Sequence, residues 1–328
     1  MEYKVYIFSD NALNSQIFNF TAFRKFCARC HVNLQSIHLE KFDSNWKIDE
    51  NTDLIIFCEN NVLDSLIINN IDRLGNKKTF IKEQIVIFEK NGHRIVFAPI
   101  EADLALLEGA FPPLDGKKYC QFHLFGISEQ TVLEKLGSLK SQIDGFQYSI
   151  NYHNLLCDVY ICYNGQSDFI DDNQVTIASQ FKQYIYSEND MNLTNIIGKM
   201  LSLKNYTLAI NEDITKGEIA FRLLQDNNDE FIQLLKSSSV IKTEYCDSDQ
   251  LYNKAVALLK SSGADIAVVT SGQQTENGVN FNYAIAQSSE VHLFKNNFKA
   301  DFGSCIKMAE NSLLYHLAKK LRQNDISF

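Results

Sequence analysis

The chain opens on a strand pattern. Tyr3-Lys4-Val5-Tyr6-Ile7-Phe8 alternates with period two, the spacing of a half-buried β-strand. A polar turn, SDNALNS, follows, and helical spacing begins near Gln16. NLQSIHL predicts a second strand. DLIIFC (53–58) is a short continuous apolar run, the pattern of a strand covered on both faces. After a helix, QIVIFEKNGHRIVFAP predicts two β arms around Lys90-Asn91-Gly92, because Asn-Gly supplies the positive φ angles of a tight hairpin turn. Strands alternating with helices imply an α/β unit with a mostly parallel sheet.

Phe111-Pro112-Pro113-Leu114-Asp115-Gly116 punctuates the chain and marks a boundary. Beyond it, FHLFGISEQTVLEKLGSL predicts a strand and a helix. QYSINYHN and LCDVYICYNG predict two more strands, and a further helix ends near Tyr186. This is a small α+β unit, and the polar stretch SENDMN leads out of it. The rest alternates again: helix LTNIIGKMLSLKN, strand YTLAI, helices KGEIAFRLL and QLYNKAVALLKSSG, strands ADIAVVTS, VNFNYAIAQ and EVHLFK, and a terminal helix to about Leu321. The expected domains are 1–117, 118–188 and 189–328, with no internal repeat.

Charge narrows the partners. The net charge is −9, and an acidic field repels phosphate backbones unless a basic patch offsets it. Lys77-Lys78 and Lys117-Lys118 are the densest cationic spots and read as solvated turns, so no nucleic acid is expected. No apolar run approaches the ~18 residues of a membrane span. The start of the chain goes straight into a strand rather than a signal-peptide pattern. A cytoplasmic protein without membrane association is expected.

Of eight cysteines, Cys27 and Cys30 with His31 spell C-x-x-C-H, a haem-attachment string. Phe23, Phe26, Cys27 and Cys30 fall on one helical face, however, and a reduced cysteine behaves as a small buried hydrophobe. Core packing is the expected role, also for Cys157 and Cys162. No second ligand pair completes a zinc site, so neither metal nor cofactor is expected. His123, His153 and His292 stand singly in strand patterns and are expected to be partly exposed.

The order of elements, together with several segments, resembles the CinA (competence/damage-inducible) family. FGISEQTVLEKLGSL resembles the opening of that family's middle unit. YTLAINEDITKGEIAFRLL resembles its T-x-A-x-A-E-S-C-T-G-G-x-I-A strand–loop–helix, with Glu212, Thr215, Gly217, Ile219 and Ala220 in agreement. GADIAVVTSG resembles the strand before its G-I-A-G-P loop. FSDNALNSQIFNFTA resembles its first loop, with Gln16, Ile17 and Asn19 retained. The resemblance implies a multi-domain α/β protein: a molybdopterin-binding-like α/β domain, a KH-like α+β middle domain and a C-terminal deamidase-type α/β domain. It also implies a homodimer and a nucleotide-like small ligand.

The departures bear on function. Asp213 stands where the family has its nucleophilic serine, and Ile214 where it has cysteine. Covalent amide hydrolysis needs a hydroxyl or thiol that a base can activate, which a carboxylate does not supply. The family's Y-S-N-x-x-K segment is shortened in FIQLLKSSSVIKTEYC, where Lys236 or Lys242 would have to replace its lysine. Its G-I-A-G-P-G-G loop becomes Gly272-Gln273-Gln274-Thr275-Glu276-Asn277-Gly278. In the first domain, the phosphate-cradling glycines give way to Glu59-Asn60-Asn61-Val62, and P-G-P-P gives way to Ala98-Pro99-Ile100-Glu101. Backbone amides reach a phosphate only where side chains are absent.

Thr215-Lys216-Gly217-Glu218 reads as a capping box, with Thr215 as cap and Glu218 at the third helical position. An anion held at that helix start by Lys216 and the dipole is the functional counterpart. The degenerate pocket is therefore placed at Glu212, Asp213 and Thr215, and the ligand-binding candidates are Lys216, Gly217, Thr270, Ser271 and Gly272. The expected function is a catalytically degenerate CinA-like protein, a pseudoenzyme acting as a binding or scaffold partner. The alternatives are nicotinamide mononucleotide deamidase, an amide hydrolase, with a rearranged site, and behind it a nucleotide pyrophosphatase.

Overall fold

The computed structural model describes residues 2–8, 23, 26–27, 30, 32–41, 43, 45–74, 78–81, 85–109, 111, 117–165, 172–188, 191–227, 230–241, 245–288 and 290–323. Gln16, Ile17 and Asn19, His31, the 112–116 boundary and Lys242 lie outside them. Contacts group the chain into two compact units: residues 1–120, 138–151 and 160–171, and residues 121–137, 152–159 and 172–328. Helices and three sheets make it a mixed α/β protein.

The first unit holds β1 (Glu2–Phe8), β2 (Asn33–Glu40), β3 (Asp53–Cys58), α1 (Asn60–Asn69), α2 (Ile71–Leu74), β4 (Lys78–Ile81), β5 (Ile85–Lys90), β6 (His93–Pro99) and α3 (Leu104–Glu108). The sheet order is β2-β1-β3-β6-β5-β4. The first four strands are parallel and the last two run antiparallel. The apolar run of β3 has the predicted consequence. Ile55 and Phe57 join Val5, Ile7, Phe23 and Phe26 on one face, while Leu54, Ile56 and Cys58 join Leu66 and Phe97 on the other. Fully burying each such side chain contributes about 1.5–3 kcal/mol. Asn91 and Gly92 take φ 53° and 82°, as the hairpin turn requires. Cys27 packs with Phe23 and Phe26, and burial pushes its thiol pKa well up.

A four-stranded sheet follows, in the order β10-β7-β9-β8. Its strands are β7 (Lys117–Phe125), β8 (Gln147–His153), β9 (Leu156–Asn164) and β10 (Ile185–Ser187), interspersed with α4 (Glu129–Lys140) and α5 (Asp172–Phe181). Cys157 and Cys162 are fully buried, as expected. His123 is not partly exposed. It is buried, with Nδ1 2.6 Å from Oδ1 of the equally buried Asp158. The neighbouring strand supplies a polar partner that a single-strand pattern does not reveal. The helix expected to reach Tyr186 stops at Phe181, and the three-residue β10 takes over to pair with β7.

The third sheet-and-helix assembly, all within the second unit, has α6 (Leu193–Lys204), β11 (Leu208–Glu212), α7 (Glu218–Asp226), α8 (Glu230–Leu234), β12 (Leu235–Val240), α9 (Ser248–Ser262), β13 (Ile266–Thr275), β14 (Gly278–Gln287), β15 (Glu290–Phe298) and α10 (Phe302–Gln323). The order is β12-β11-β13-β14-β15, parallel through β13 and antiparallel after it. Alternation sorts the side chains by size. Leu208, Ile210, Ile266, Val268, Phe281 and Ile285 face a large-residue core with α6, α7 and α10. Ala209, Ala267, Ala284 and Ala286 face α9 through Leu251, Ala255 and Leu258. Small strand residues let that helix lie close to the sheet. The sequence pattern omits β12, which holds KSSS, and one reading is corrected: Gln273–Thr275 continue β13 into a hairpin with β14 rather than forming a loop. Among the described residues no helix is long and apolar enough to cross a membrane.

Candidate functional site

The site sits where β11 ends. Glu212 is the last residue of that strand and is fully buried. Its Oε2 accepts the Thr215 hydroxyl at 2.7 Å and the Gly217 and Ile219 N–H groups at 3.1 Å each; its Oε1 accepts the Ala220 N–H at 2.9 Å. The first N–H groups of a helix have no partner within it, and they favour an anion. Here the protein's own carboxylate is that anion.

This overturns the capping box at Thr215. The N-cap of α7 is Gly217, at φ 90°, without a side-chain cap. The Thr215 hydroxyl is engaged by Glu212, and Glu218 turns away to Lys307 Nζ on α10 at 3.1 Å. Lys216 is exposed, with φ 54°. A true capping box stands at α9 instead, between Asp247 and Gln250. The local signal at 215–218 loses because a buried carboxylate three residues earlier reaches the same amides.

Asp213, Thr270 and Gly272 come together. The Asp213 N–H donates to Thr270 Oγ1 at 2.9 Å, and the Gly272 N–H donates to Asp213 Oδ2 at 3.2 Å. Glycine is needed at 272, since a Cβ there would lie 2.3 Å from Ile214 Cγ2. Ser271 is fully buried, and its Oγ accepts the Cys246 N–H at 2.8 Å. Thr270 and Ser271 do not end a strand: β13 runs on to Thr275, but its parallel pairing with β11 stops at Val269.

Beside these residues lies a cleft of about 270 Å³, with Asn211, Glu212, Ile241, Lys254 and Thr270 among its walls. Small-ligand sites usually measure about 300–1,000 Å³. Lys254 and Cys246 are the residues that sequence reasoning missed. The Lys254 ammonium lies 2.9 Å from Cys246 Sγ. The available signal was the position of Lys254 on α9, between the buried Leu251 and Ala255. Lys236, one proposed replacement for the family lysine, is exposed on β12. Among the described residues no group of three His, Cys, Asp or Glu side chains could hold a metal ion.

The arrangement therefore offers two carboxylates committed to backbone amides and a serine committed to a backbone N–H. Solved structures similar to this chain include CinA-superfamily proteins. The Klebsiella pneumoniae CinA superfamily protein is 17% identical, over 40% of this chain and 96% of its own, with a TM-score of 0.37. The Enterobacter cloacae protein of that superfamily is 14% identical, over 42% and 96%, with a TM-score of 0.37. A competence/damage-inducible protein from Agrobacterium tumefaciens is 16% identical, over 40% and 94%, with a TM-score of 0.36. No protein-family profile and no curated protein matches the chain.

Proposed function

We propose that this chain is a CinA-like protein whose deamidase-type site has lost its amide-hydrolysing chemistry and now serves binding or scaffolding. In this reading the chain carries a degenerate molybdopterin-binding-like domain (1–117), a KH-like domain (118–188) and a deamidase-type domain (189–328). The observation that carries it is the state of the β11 end. Asp213 stands at the serine position, and its Oδ2 accepts the Gly272 N–H. A nucleophile needs a proton acceptor and oxyanion donors arranged with it. The test is ammonia release from nicotinamide mononucleotide by the purified chain. None is expected, and turnover on the order of 1 per second would overturn the reading.

The Lys254–Cys246 contact favours one other reading, a rearranged amide hydrolase with Cys246 as thiol nucleophile. Ammonia release that survives Asp213→Ala and disappears in Cys246→Ala would establish it. Asp213→Ser alone should restore nothing, because members of a catalytic constellation act as a unit. A homodimer belongs to the proposal too: light scattering should give about twice the 37.5 kDa chain mass, and a monomer at micromolar concentration would refute that part.

A further inference from the structure

A larger cleft, of about 790 Å³, opens elsewhere in the second unit and shares no lining residue with the β11 end. Its walls come from α5, β10, α6 and the last turn of α10. Its size lies in the range of small-ligand sites, about 300–1,000 Å³.

Among the described residues, three cations from separate elements line it, Lys182 after α5, Lys199 on α6 and Arg322 on α10, and one carboxylate, Glu188. Among the described residues none of the three cations is paired with a carboxylate. Arg322 is instead positioned by donating to the Tyr186 carbonyl. In a chain of net charge −9, cations gathered in one concave place create a local field of opposite sign. The remaining wall is apolar and adaptable. Met191 and Met200 line it, and Val175 lies 57% exposed at its side. Methionine fills irregular space and accommodates varied shapes.

We propose that this cleft binds a phosphate monoester carried on an apolar or aromatic body. The phosphate lies among Lys182, Lys199 and Arg322, and the body lies against Val175, Met191 and Met200. A dianion with three terminal oxygens matches three cations lining one cleft better than a carboxylate does. The guanidinium adds a planar two-point donor suited to phosphate.

The test is calorimetric titration of the full chain with 1-naphthyl phosphate, inorganic phosphate and 1-naphthol. Naphthyl phosphate should bind tightest, since only it fills both halves of the cleft, and its affinity should fall with added salt. Lys182→Gln combined with Lys199→Gln should weaken it about five- to thirtyfold. Both lysines are exposed, so the fold should not suffer. Val175→Asp, also at an exposed position, places a carboxylate against the ligand and should weaken it at least as much. Three results would overturn the proposal: no binding of naphthyl phosphate at millimolar concentration, equal affinity for inorganic phosphate, or undiminished affinity in both the double-lysine and Val175→Asp variants.

Discussion

Replacing Glu212 by alanine is expected to destabilise the second unit by about 3–5 kcal/mol. The carboxylate is fully buried and accepts four hydrogen bonds, three of them from backbone amides at the start of α7. Removing it leaves the buried Ile219 and Ala220 amides without their partner, and each orphaned buried group costs about 1–3 kcal/mol. Releasing the carboxylate from its desolvated position offsets part of this, but a carboxylate accepting several N–H bonds is well compensated where it stands. Glu212→Gln should recover little. One amide oxygen can still accept from Ala220, but the NH2 then faces the Gly217 and Ile219 donors. Chemical denaturation of the wild type and the two variants gives the answer, with formate as the decisive addition. A small carboxylate from solution should stabilise Glu212→Ala and leave the wild type unmoved, by mass action on the vacated site. Wild-type stability in Glu212→Gln would mean that the negative charge is dispensable and that the helix start is not an occupied anion site.

Most of the architecture is legible in the chain because burial leaves a periodic trace. DLIIFC announces a strand covered on both faces, and its side chains do divide between two cores. Lys90-Asn91-Gly92 announces its hairpin through two residues able to take positive φ. Where the reading fails, a long-range partner outweighs a local signal. Thr215 and Glu218 have the spacing of a capping box, yet Glu212 and Lys307 take both side chains. His123 looks like an exposed strand histidine until β9 brings Asp158 to it. β12 is hidden for another reason. LKSSSV is mostly exposed at the sheet edge, so it carries no apolar alternation to detect.

The candidate site is legible to the same degree and for the same reason. Glu212, Asp213, Thr215, Gly217, Thr270 and Gly272 meet because they lie just beyond the end of the parallel pairing of β11 with β13, and the place where parallel strands part is where α/β sheets gather their polar groups. Lys254 and Cys246 come from α9 and the segment before it. They reach the site only through packing of α9 on the alanine face of the sheet, which no spacing along the chain encodes.

The hairpin that carries Thr270–Gly272 onward supplies the second large effect. Gly278→Ala should destabilise the second unit by about 3 kcal/mol or more. Gly278 opens β14 opposite Thr275 of β13, and it adopts φ 153°, where side-chain-bearing residues rarely settle. A Cβ built on it lies 1.8 Å from the Phe298 carbonyl oxygen and 2.9 Å from the carbonyl carbon. Those atoms are backbone, and the next residue, Val279, pairs with Phe298 across β14 and β15. Relief therefore requires the two strands to part at the end of their ladder, and rotation of a side chain cannot provide it. Gly263→Ala separates the steric part from the conformational one. Gly263 caps α9 at φ 63° in the same unit and has nothing within 4 Å of a built Cβ. It should therefore cost only the roughly 1–2 kcal/mol of a left-handed residue. Thermal melts of the two variants should rank Gly278→Ala well below Gly263→Ala. Equal losses would mean that φ alone sets the cost and that the β14–β15 contact yields freely to an added methyl group.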